Sequence, residues 1–192
     1  VLIFPITLIP YLKKGPSLSL NHFAYFATIG FAYMSVELIL MQQFTLLVGP
    51  SVYSVAAILM TLLISSGIGS RYSSAFESKL VFFAIISWLF LDIMLFKYYV
   101  LLFGDFEQSI RIFWTIILVS PLGFFMGMPF PKGVRYVGPL VDWSFAVNGA
   151  ASVLGSTVTI LIVISWGYSI GLIVGLACYA GAGMLMWNTS RN

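Results

Sequence analysis

Six predominantly apolar runs of helix-spanning length dominate this chain, at roughly 22–48, 51–70, 80–103, 108–129, 142–165 and 168–187, each closed by glycine, proline or charge. The hydrocarbon core of a bilayer is about 30 Å thick, which about 20 residues cross as a helix. Inside it every peptide N–H and C=O must be satisfied within the segment, so a run of this kind has one regular structure open to it. The reading is an all-α, polytopic transmembrane helix bundle of six full spans plus a partial N-terminal one. The connections at Gly49–Pro50 and Trp166–Gly167 are minimal, so spans one and two, and spans five and six, are expected as tight hairpins. The opening VLIFPITLIP, Val1–Pro10, is too short to span and carries two prolines. It reads as the trailing end of an earlier helix, which makes the chain a piece of something longer. The division is then 1–21, the end of that helix and a cytoplasmic linker, and 22–192, the six-span domain.

Composition sharpens this. At 60% hydrophobic, 8% charged and a mean hydropathy of +1.04, the chain lies outside the range of soluble domains. One cysteine, Cys178, excludes an internal disulfide framework and a cysteine-built metal centre, and one histidine, His22, excludes a site needing two imidazoles. No metal and no cofactor are expected. The net charge of +3 sits in the short connections and reads as topology, with no nucleic-acid partner. Lys13, Lys14, Arg71, Lys79, Lys132, Arg135 and Arg191 fall on one side, and Lys97 and Arg111 toward the other. By the positive-inside rule both ends of the chain are cytoplasmic. Asp105 and Glu107 then lie outside, as partners for Lys97 or Arg111.

Glu37, within FAYMSVELILMQQF, is the residue that asks for an explanation. A carboxylate at bilayer depth costs roughly 2.5 kcal/mol or more and faces protein or water in preference to lipid. Three-and-four spacing puts Gly30, Tyr33, Glu37, Met41 and Phe44 on one face, so Tyr33 is placed to donate to the carboxyl group. Ser35 and Gln42 form a second polar strip, and Gln42 is expected to support the site. Either this is a protonatable or cation-binding site, or a neutral, hydrogen-bonded acid that holds helices together. Asp92 is a second acid at similar depth, and the two carboxyls would share a proton or cation if spans one and three touched through those faces.

The small residues and prolines give the packing expectations. SSGIGSRY, with Gly67 and Gly69, suits close backbone approach or a hinge. Span four closes with Pro121, then Gly127, Pro129 and Pro131; Pro121 frees a carbonyl and is expected to kink the helix, with a broken-helix site as the functional reading. Span five carries a seam at Gly149, Ser152, Ser156 and Thr159, headed by the amide of Asn148, which would bond across to another helix.

Taken together, FAYMSVELILMQQFTLLVGPSVYSVAAILMTLLISSGIGS, GFFMGMPFPKGVR and WSFAVNGAASVLGS resemble the C-terminal membrane region of bacterial spermidine-synthase-like integral membrane proteins. The likeness runs from His22 onward. It implies a polytopic region that accompanies an aminopropyltransferase-like, SAM-binding domain, and no part of such a domain is present in these residues. By position it carries over Glu37, Gln42, Gly67, Gly69, the run Gly127–Pro131, Asn148 and Gly149. The expected function is a transporter-like or anchoring module of the bacterial inner membrane that handles a cation or polyamine at a buried acid. Its partners would be the lipid bilayer and either other membrane subunits or a fused soluble domain. The alternative is a structural subunit of a larger membrane complex, contacting neighbouring subunits, lipids or pigments. An intramembrane enzyme lacks a His/Asp metal set, a Ser–His pair and a paired-acid motif.

Overall fold

The structure, a computed structural model, describes residues 19–189. The expectations for Val1–Pro10, most of the linker and Arg191 fall outside the described residues. The helices are α1 (Leu20–Val48), α2 (Val52–Arg71), α3 (Ser78–Phe103), α4 (Gln108–Met126), α5 (Pro129–Val134), a short 3-10 turn (Gly138–Leu140), α6 (Val141–Trp166) and α7 (Tyr168–Thr189). With α4 and α5 counted together, six helices are long and apolar enough to cross a membrane. The all-α bundle expected from the sequence is the observed architecture.

Both tight hairpins form for a local reason. Gly49 and Gly167 take φ of 105° and 85°, a left-handed region open to glycine at little cost, and their N–H groups return to Thr45 and Val163 carbonyls at 2.9 Å. Ser51 then caps α2, its hydroxyl oxygen accepting from the Ser54 N–H at 3.1 Å.

α1 is the axis of the bundle. Half of its most apolar window is buried, against 22–39% for the other spans, and it touches α2, α3, α4, α6 and α7. The outer helices turn much of their apolar surface outward, where lipid takes the place of protein.

The α1–α6 contact runs through small residues. A Cβ on Gly155 would lie 2.7 Å from the Phe31 carbonyl oxygen. Ser152 donates to the Gly30 carbonyl at 3.2 Å, and Thr159 donates to Ser35 Oγ at 2.7 Å. The seam is therefore Asn148, Ser152, Gly155 and Thr159. Gly149 and Ser156 were expected in it, but Gly149 is exposed, with nothing near its would-be Cβ, and Ser156 makes only an exposed bond within its own helix. The three-and-four spacing from Asn148 passes through Gly155, and the neighbouring small residues point elsewhere. Between α2 and α4, any side chain on Gly69 would meet the Phe124 carbonyl and one on Gly127 the Ser66 carbonyl. The packing role expected of Gly69 and Gly127 is present, whereas Gly67 faces open space.

Candidate functional site

The fourth span is broken, and the break builds the site. α4 continues through Pro121 and ends at Met126; the interruption falls at Gly127–Met128. Pro129 has no N–H for the Phe125 carbonyl, which accepts from Met128 instead at 3.1 Å, and Pro131 denies Gly127's carbonyl the usual donor four residues on. Three contacts hold the short α5 against the bundle. Tyr25, 3% exposed, donates to the Pro129 carbonyl at 2.7 Å. Phe26 meets Phe130 edge to face at 5.5 Å. Lys132, buried at 6% exposure, donates to the Phe76 carbonyl at 2.5 Å, so it joins α5 to the loop before α3 and is no free surface cation.

Beside the break lies a cavity of about 300 Å³, lined from α1 (Ile29, Tyr33), α2 (Leu63, Ser66, Gly67, Ser70), the α4–α5 junction (Met126, Gly127, Pro129, Phe130), α6 (Asn148) and α7 (Tyr179). Tyr33 lies about 20 Å along α1 from its start, by a rise of about 1.5 Å per residue, so the cavity is within the membrane. Ser70 adjoins Arg71 and sets its rim toward the end of the bundle that carries Arg71, Lys79, Lys132 and Arg135.

Its polar groups are hydroxyls and one amide. Tyr33 donates to Ser66 Oγ at 3.2 Å. Tyr179 is 1% exposed, and its hydroxyl has no partner among the described residues. A buried hydroxyl without a protein partner is costly.

Several expected associations are corrected. Tyr33 does not donate to Glu37. Long helical side chains lean toward the helix N-terminus, which carries the Tyr33 hydroxyl a turn away from Glu37 and into reach of Ser66. Glu37 is half-buried and does not line the cavity, but it acts electrostatically on both Tyr33 and Tyr179. Gln42 does not support Glu37: it faces a separate cleft with Met41, Thr45, Ile160 and Tyr168, more than a third of a turn away around α1. No contact joins Glu37 and Asp92: Asp92 is buried on α3 with its Oδ2 unpartnered among the described residues, and Glu37 is half-buried on α1. Pro121 and Pro131 do not line the cavity, while Gly67, Gly127, Pro129, Tyr33 and Asn148 do. Asn148 packs against Gly30, without a side-chain hydrogen bond across α1 to answer the bond expected of it; Ser152 makes that link instead. Sequence reasoning did not find Tyr179, which sits in an evenly apolar helix with no local mark.

The chain matches no known protein family, no curated protein and no solved structure. The site must speak through its own chemistry.

Proposed function

We propose that this chain is the transporter-like membrane module of a spermidine-synthase-like protein and that its cavity takes a small organic cation of the polyamine class. The observation that carries the reading is a cavity lined by three aromatic residues, with a carboxylate one turn along α1 from one of them. Tyr33, Phe130 and Tyr179 line the cavity, Ser66, Ser70 and Asn148 offer oxygen acceptors, and Glu37 is within electrostatic reach of both tyrosines. An ammonium is held by ring faces within about 6 Å of the centroid and by hydroxyl and amide oxygens. A carboxylate one turn away favours positive charge without a direct ion pair, which would hold the solute too firmly to release.

In this reading the basic end is cytoplasmic, the membrane is a bacterial inner membrane, and the cavity opens toward the side where a soluble catalytic partner would work. The competing role, a subunit of a larger membrane assembly, draws on exposed side chains such as Tyr53, Phe83 and Trp166. Lipid accounts for those equally well, whereas a solute in the cavity would also give the Tyr179 hydroxyl a partner. Uptake of labelled spermidine into proteoliposomes tests the proposal: the wild-type chain accumulates it, and Glu37→Gln slows uptake about tenfold or more, the effect of losing about 1.4 kcal/mol. Equal uptake by the two proteins overturns it.

A further inference from the structure

A second group of buried polar atoms lies in the other half of the bundle, away from the cavity. Gln43 on α1, Asp92 on α3 and Thr115 on α4 are 4%, 5% and 2% exposed. Gln43 Oε1, Asp92 Oδ2 and Thr115 Oγ1 each have no hydrogen-bond partner among the described residues, and neither has Arg111 Nε. One such atom is a defect; four from three facing helices form a pattern.

Three contacts bring these residues to one depth. Arg111 Nη1 donates to the Leu47 carbonyl at 3.1 Å, which caps the C-terminus of α1. Because α1 and α4 run in opposite directions, one turn inward from that bond sets Thr115 opposite Gln43. Trp88 Nε1 donates to the Leu118 carbonyl at 3.1 Å, and one turn outward along α3 brings Asp92 level with the Thr115 turn. Phe44, next to Gln43, meets Phe96, one turn from Asp92, edge to face at 5.6 Å. The three buried residues therefore lie at one level of the bundle where α1, α3 and α4 meet.

Gln43 Oε1 and an ionised Asp92 have no donor between them. The amide oxygen of Gln43 only accepts, the Thr115 hydroxyl donates once and accepts, and an ionised Asp92 only accepts. An ionised carboxylate at this depth with no partner is the costliest arrangement of the three. One proton on Asp92 turns it into a donor, which Gln43 Oε1 or Thr115 Oγ1 can accept. We propose that Asp92, Gln43 and Thr115 form a proton-binding site, separate from the solute cavity, which holds one proton in the resting protein and exchanges it with the outer end of the bundle past Arg111.

On release the proton leaves as Asp92–COOH becomes Asp92–COO⁻, and Arg111, whose Nε has no partner among the described residues, lies one turn outward of Thr115 on α4. The other ionisable groups, Tyr99 excepted, are set apart. Tyr99 on α3 feels the Asp92 carboxyl, and Lys97 is exposed. On α1, Glu37 acts on Tyr33 and Tyr179, not on Asp92. On α7, Tyr168 lies at the outer terminus and Cys178 and Tyr179 toward the basic end, while Lys132 of α5 is bound to Phe76 at that same end.

The test is the infrared carbonyl stretch of protonated carboxyl groups in the full chain, purified in lipid nanodiscs. The wild type shows a protonated-carboxyl band at neutral pH that shifts in D₂O and fades in alkaline buffer; Asp92→Asn removes it and Glu37→Gln leaves it. Gln43→Leu and Thr115→Val, which keep the acid, move the band to higher frequency by removing its acceptors, so the proposal remains testable where Asp92→Asn fails to fold. A wild type without the band, a band that survives Asp92→Asn, or one indifferent to both acceptor variants overturns it. Because Glu37→Gln is silent here, this outcome is independent of the solute reading.

Discussion

Tyr179→Phe removes a single oxygen from the most buried corner of the cavity, and its effect can be worked out from the structure. The side chain is 1% exposed and its hydroxyl has no partner, so the phenol contributes its ring to the core and leaves its polar end unsatisfied. Burial of such a group costs about 1–3 kcal/mol, and phenylalanine keeps the ring while removing the cost. For a chain of this size about 1 kcal/mol moves the midpoint by about 2–4 °C, so the variant should melt about 2–12 °C higher than the wild type. Tyr25→Phe is the matched control. The same atom is deleted from an equally buried tyrosine, but here the hydroxyl donates to the Pro129 carbonyl at 2.7 Å. Its loss should cost about 0.5–1.5 kcal/mol and lower the midpoint. Circular dichroism melts of the three proteins in one detergent read both signs. With spermidine present the order should change, since Tyr179→Phe loses a ligand contact and should gain less from the polyamine than the wild type. A Tyr179→Phe protein less stable than the wild type by about 1 kcal/mol or more refutes the reasoning, because the phenol would then have a partner.

Two other substitutions follow from the packing. Gly69→Ala should lower stability by about 1–3 kcal/mol, since its Cβ would run into the Phe124 backbone carbonyl, whereas Gly149→Ala, in open space on α6, should be neutral or gain up to about 1 kcal/mol of helix propensity; chemical denaturation in mixed micelles compares them. Lys132→Met should cost about 1.5–3 kcal/mol by leaving the Phe76 carbonyl without its charged donor, visible as faster proteolysis of the connection between α2 and α3.

The spans were legible because their signal is one of length and punctuation. Gly49 and Gly167 mark the hairpins by local necessity, whereas the small residues within the spans mark candidate contacts without saying which are used: Gly69 and Gly127 pack closely, Gly67 and Gly149 do not. What could not be read was direction around the helix. α1 is apolar on nearly every side, so nothing in the pattern separates Gln42 from Gln43, yet one faces a cleft and the other is buried. The same holds for Tyr33, whose expected partner four residues on lost to a serine on α2, and for Arg111, which reads as a surface cation and caps α1 from across the bundle. These assignments depend on which helices are neighbours, and that information lies in the tertiary packing. The break at Gly127–Met128 lay six residues past the proline expected to kink the helix, because Pro129 and Pro131 together interrupt two carbonyls within one turn, those of Phe125 and Gly127, where Pro121 interrupts one.

Filling the cavity without disturbing the fold tests the central claim most directly. Gly67 lines it, and a Cβ there would meet nothing within 4 Å, so Gly67→Leu has room to fold while its side chain occupies the solute's place. Calorimetric titration of spermidine into both proteins should give saturable binding at one site per chain for the wild type. For Gly67→Leu, with an unchanged melting midpoint in the absence of polyamine, affinity should fall at least tenfold. Equal binding by a folded Gly67→Leu protein would contradict the account.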